Sequence, residues 1–170
     1  VGWKWWKRQT PNMPQAHIEI VDIWHFVLSD YLVRHGTKAA TAIADEINEP
    51  TLKVVYFHEK LRTLTELTLQ ELVDVFAGLA GQGMVNARVF DQIRQAAGMN
   101  WDDIERIYVG KNVLNLFRQR HGYKEGTYVK VWHGEEDNVF LEHLMAASPG
   151  IEVDALFAAL ERQYALVIAP

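Results

Sequence analysis

Cysteine is absent, so neither a disulfide nor a thiolate metal site is open to this chain. No apolar run approaches the roughly 20 residues that a membrane-spanning helix needs, and no secretory signal is visible. The sequence also lacks a G-x-x-x-x-G-K-[ST] loop, which removes P-loop chemistry. Positive charge is not in excess. Lys and Arg number 17 against 22 Asp and Glu, and the net charge of −5 argues against a general nucleic-acid binder. A local basic pocket stays possible within that balance. No internal repeat, low-complexity tract or interdomain linker stands out. A cytoplasmic location and no membrane association are the expectations.

What is present fits an ordinary folded protein. Of 170 residues, 49% are hydrophobic and 23% charged, enough for one domain, residues 1–170, with a substantial core. The sequence opens on Val1, and we expect the natural protein to begin earlier. Residues 1–10 are aromatic and basic, and Pro11 and Pro14 then break the chain. Ile18, Val21, Trp24, Leu28 and Tyr31 or Leu32 recur at three- and four-residue steps, predicting a helix from about Gln15 to Arg34 that Gly36 stops.

Residues 39–47 read as a short helix, and Pro50 as the opening of another that runs to about Leu64. Thr68 and Glu71 form a capping box for a helix ending near Gly81 and Gly83. Residues 86–97 make the next helix, stopped by Gly98. Asn100 caps a long one to about Arg120, with Asp102 and Asp103 suited to its positive end. A loop over 122–138, a short helix over 138–147 and a last one over 152–167 complete an all-α reading. Only Thr127–Trp132 suggests a strand.

Two stretches carry chemistry. Glu19 and Asp22, three residues apart, project from neighbouring points of one helical face. Their mutual repulsion is relieved by a hard cation such as Mg²⁺ bound through oxygen. Taken alone, that spacing is more often a solvated acidic face. Further on, Lys111, Asn115 and Arg118 fall at i, i+4 and i+7, opposite Val113, Leu114 and Phe117. Arg118 is able to make paired hydrogen bonds to phosphate oxygens, and Lys111 acts as a point charge. The loop after them adds Lys124, Lys130 and Tyr123, with Gly122 and Gly126 allowing close backbone approach. A cationic helix face and an ordinary turn would look the same locally.

The wider context separates these readings. HIEIVDIWHF (17–26) and KNVLNLFRQRHGYKEGTY (111–128), followed by Lys130, Trp132, Gly134 and Glu136-Asp137-Asn138, resemble motifs of the all-α dimeric dUTPases. Those enzymes belong to the all-α NTP pyrophosphohydrolases, whose fold is a helical bundle. The resemblance implies Mg²⁺-dependent hydrolysis of dUTP to dUMP and pyrophosphate, and cleavage of dUDP as well. It implies Glu19 and Asp22 as catalytic metal ligands. Trp3, Lys4, His25, Phe26, Lys111, Asn115, Arg118, Tyr123, Lys124, Lys130 and Asn138 would surround the nucleotide, in a homodimer. Trp3, Trp5 and Trp6, interleaved with Lys4 and Lys7, resemble a segment that closes over the uracil and phosphates. Stacking on single-stranded nucleic acid is the less favoured use of the same pattern.

The family also carries a Glu-x-x-Glu helix and a uracil-binding segment before the tryptophans, and this sequence starts at the tryptophans. Glu46 with Glu49, or Glu71 with Asp74, has the spacing to substitute but lies elsewhere in chain order. Two alternatives therefore stand beside the dUTP reading. One is a related pyrophosphohydrolase acting on dCTP or other nucleotides. The other is a form that binds nucleotide or a partner without catalysis.

Overall fold

The computed structural model describes residues 12–49 and 51–168, so Trp3 and Lys4 lie outside the described residues. Among them are seven α-helices: α1 (Met13–His35), α2 (Ala39–Asn48), α3 (Leu69–Ala80), α4 (Ala87–Ala96), α5 (Trp101–Arg120), α6 (Asp137–Ala147) and α7 (Val153–Ile168). The all-α class follows, and none of these helices is long and apolar enough to cross a membrane. The chain divides between Trp101 and Asp102 into two compact units.

In the first unit the expected Gly36 stop and Thr68–Glu71 box are in place, and two asparagine caps join them. Asn12 accepts from Gln15 N–H at α1, Asn86 from Val89 N–H at α4, and Gly36 ends α1 with a positive φ. Thr68 and Glu71 close the reciprocal box at α3. α1 buries Ile18, Ile20, Val21, Val27 and Tyr31, while Leu32 is exposed. Trp24 stacks on Phe90 of α4 at 4.8 Å and meets Trp101 at 5.1 Å. His17 Nε2 lies 3.1 Å from the Ala97 carbonyl oxygen, tying α1 to the end of α4.

The helix expected up to Leu64 is not there. Val54–Phe57 (β1) and Lys60–Thr63 (β2) pair as an antiparallel hairpin, with Val54 opposite Thr63 and Tyr56 opposite Leu61. The run Val-Val-Tyr-Phe is β-branched and aromatic, which favours a pleated chain over a helix. His58 and Glu59 take up the positive φ that a two-residue hairpin demands, without the Asn-Gly or Asp-Gly that would have announced the turn.

In the second unit α5, α6 and α7 close on Phe117, which is wholly buried. Its ring meets Tyr164 and Phe157 at 5.4 Å and Trp132 at 5.9 Å, all edge-on. Between α5 and α6 the loop is tied by a minimal ladder, Val131–Trp132 (β3) against Glu135–Glu136 (β4). The strand expected over Thr127–Trp132 is thus confined to its last two residues.

Glu142 of α6 supplies a pH-dependent prediction. Its Oε1 is buried without a hydrogen-bond partner among the described residues. Burial raises its pKa above the ordinary carboxylate value, and His143 offsets only part of that. A carboxyl raised in the folded state favours folding below its unfolded pKa, and that contribution is lost as pH rises through the folded value. Glu142→Gln is therefore expected to raise Tm at pH 7. The gain should shrink as pH is lowered through the carboxylate range, in paired thermal melts of the two chains.

Candidate functional site

Glu19, Asp22, His25 and Phe26 all lie on α1. Glu19 is exposed, and its Oε1 accepts from Gln15 Nε2 at 2.7 Å. Asp22 is half-buried, with Oδ1 4.0 Å from His25 Nδ1. His25 Nδ1–H donates to the Val21 carbonyl at 2.8 Å, so the ring is oriented by its own helix. Phe26 is 72% exposed, which removes core packing as the account of that residue.

These carboxylates suit a hard cation in donor type. Mg²⁺ commonly takes one or two carboxylates and completes its shell with water and substrate phosphates. Among the described residues no group of three or more His, Asp and Glu gathers around one point. Each of the two substitute pairs has one member committed elsewhere. Glu46 accepts from Asn86 Nδ2 at 2.6 Å, from the Ala87 N–H at 3.0 Å and from the Tyr31 hydroxyl. It thereby fastens the start of α4 to α1 and α2. Burial raises its pKa, and the Ala87 bond works against that rise. Glu71 caps α3, and its pKa is lowered first by the Thr68 N–H and then by the Thr68 hydroxyl.

In the second unit the structure gathers Asn115, Arg118, Tyr123 and Asn138. The organiser is Asp137, the middle residue of Glu136-Asp137-Asn138. It opens α6 and is 0% exposed. Arg118 Nε donates to Asp137 Oδ2 at 2.7 Å and Nη2 donates to Oδ1 at 2.7 Å, a two-pronged pair. Tyr128 Oη–H donates to Oδ2 at 2.8 Å. Arg118 Nη1 donates to Asn115 Oδ1 at 3.2 Å, and Nη2 donates to Asn138 Oδ1 at 3.2 Å. The Tyr123 ring lies 6.0 Å from the guanidinium carbon.

Arg118 is therefore not a free prong on a solvated face. Burial alone would lower its pKa, but the Asp137 hydrogen bond and charge outweigh that and raise it. The Tyr128 pKa is pushed far up, first by burial and then by its bond to Asp137, so its hydroxyl stays a donor. Lys111 is 8% exposed and does not sit on an open cationic face either. Lys124 is exposed on the loop, while Lys130 Nζ pairs with Glu136 Oε2 at 3.0 Å. The opposite side of α5 is as expected, with Val113, Leu114 and Phe117 buried. A cavity of about 380 Å³ in this unit, bounded by Asp102, Glu105, Val109, Met145 and Ile151, contains none of the candidate residues.

The loop geometry explains Gly122. Its φ is +83°, and its carbonyl accepts from Thr127 N–H at 3.0 Å and Tyr128 N–H at 3.3 Å. A Cβ there would collide with Thr127 Oγ1. Gly122→Ala combines left-handed strain of about 1–2 kcal/mol with that collision. It is expected to lower Tm and to displace Tyr128 from Asp137, read as loss of near-ultraviolet dichroism at the tyrosine band.

The sequence model of the dUTPase family matches residues 1–123. That span takes in α1 with Glu19 and Asp22, and α5 with Lys111, Asn115 and Arg118, and it ends at Tyr123. No curated protein matches the chain significantly.

Proposed function

The chain belongs to the dUTPase family, and from that membership we propose that it hydrolyses dUTP to dUMP and pyrophosphate in a Mg²⁺-dependent reaction, with dUDP a second substrate. The observation that carries this is a family match spanning both the acidic helix and the polar face of α5. Glu19 and Asp22 hold the metal. When bound, Mg²⁺ polarises phosphate oxygens and lowers the pKa of a bound water. Glu19, exposed and held by a single bond from Gln15, reorients at little cost to meet it. Asp22, half-buried, lies 4.0 Å from His25 Nδ1.

Asn115, Arg118, Tyr123 and Asn138 hold the nucleotide, with Lys124 supplying mobile positive charge to the phosphates. Lys111, Lys130, His25 and Phe26 are assigned to the substrate on the resemblance. A homodimer is the assembly we propose. It is supported by exposed apolar side chains on α1, Phe26 and Val33, and on one hairpin face, Val54, Tyr56 and Leu61.

Pyrophosphate release from dUTP and dCTP and phosphate release from dUDP, each with Mg²⁺ and against an EDTA control, test the reading. Metal-dependent release from dUTP supports it. Preferential release from dCTP overturns the base assignment. Binding of dUTP without turnover overturns hydrolysis and leaves a nucleotide-binding protein.

A further inference from the structure

Four hydrogen bonds leave the Arg118 guanidinium, two to Asp137 and one each to the side-chain oxygens of Asn115 and Asn138. An arginine has no acceptor, so an asparagine facing it must present its oxygen. The amide nitrogens of Asn115 and Asn138 are then turned away from Arg118. Neither has a hydrogen-bond partner among the described residues. The two asparagines come from different elements, α5 and the first turn of α6, and among the described residues Arg118 sets the polarity of both.

We propose that Asp137 is a positioning residue that locks Arg118 and thereby commits Asn115 and Asn138 as a pair of N–H donors for acceptor oxygens of the nucleotide. This rests on the nucleotide reading above and deepens it. Two kinds of oxygen share that chemistry, the carbonyl oxygens of a uracil ring and the oxygens of a phosphate. Cytosine carries an amino group where uracil carries one of those carbonyls, so a donor pair aimed at the base discriminates against it. A donor pair aimed at phosphate does not. Without Asp137 the guanidinium loses its fixed prongs, and each amide is free to flip its oxygen toward the ligand.

The test is calorimetric binding of α,β-imido-dUTP, α,β-imido-dCTP and imidodiphosphate, with Mg²⁺, to the full chain and to Asp137→Asn. The expected result is a loss of about tenfold or more for the uridine nucleotide. A fall confined to the uridine analogue, carrying its preference over the cytidine analogue toward unity, assigns the donors to the base. A parallel fall in all three, imidodiphosphate included, assigns them to phosphate. Unchanged affinity for all three in a folded variant overturns the proposal while leaving the function reading intact. No binding by the unsubstituted chain overturns both.

Should Asp137→Asn fail to fold, ¹⁵N spectra of the unsubstituted chain decide. The side-chain amide pairs of Asn115 and Asn138 are expected to shift as α,β-imido-dUTP is added. Backbone shifts that report binding while both pairs stand still overturn it.

Discussion

Glu19→Gln is expected to cut Mg²⁺-dependent pyrophosphate release from dUTP by a factor on the order of 10²–10³, the scale of removing one direct electrostatic contact to a transition state. The substitution removes a charge and almost nothing else. Glu19 is exposed, and a glutamine oxygen still accepts from Gln15. Stability should therefore stay within about 0.5 kcal/mol of the parent. That contrast between activity and stability makes the measurement clean. Raising the Mg²⁺ concentration should restore part of the lost rate if weakened metal affinity is the cause. Full activity in the variant at limiting Mg²⁺ would remove Glu19 from the metal site.

Asp137→Ala is expected to cost about 3–5 kcal/mol of stability, the range for breaking a buried ion pair by deleting one partner. The side chain is completely buried and accepts from Arg118 twice and from Tyr128 once. Alanine would leave a guanidinium whose side chain is only 14% exposed without its countercharge, keeping just the neutral Asn115 and Asn138 oxygens as acceptors, and would take the acceptor from the Tyr128 hydroxyl. For a chain of this size that corresponds to a fall in Tm of about 6–20 °C. Thermal unfolding followed by near-ultraviolet dichroism of the Phe117, Trp132 and Tyr164 cluster would measure it. Replacing both Asp137 and Arg118 with leucine should cost less than the sum of the single changes, because each then removes the other's stranded charge. An additive result would show that the pair is not coupled.

Much of the helical plan was legible in the chain. α1, α2, α3, α4 and α5 fall where periodicity and capping residues put them, because caps act over three or four residues and need no tertiary partner. Glu71 shows the same logic, its capping bond visible from spacing alone. The hairpin at Val54–Thr63 is hidden in the sequence for a local reason. Pro50 imitates a helix start, and the turn at His58-Glu59 lacks the residues that usually mark one.

The candidate site divides along the same line. Residue type and spacing were enough to pick out Glu19 with Asp22 on one helical face, and Asn115 with Arg118 on another, since an α-helix fixes those offsets. The family match reaches the same helices. Spacing did not disclose that Lys111 is buried, that Glu46 is consumed at the start of α4, or that Asp137 grips Arg118 from 19 residues away. Those outcomes depend on long-range contacts, and a buried charge is tolerated only where tertiary packing delivers its partner. The sequence by itself determined the helices, their caps and the identity of the donor groups. Tertiary structure alone decided which of those groups are spent holding the fold and which are left to meet a ligand.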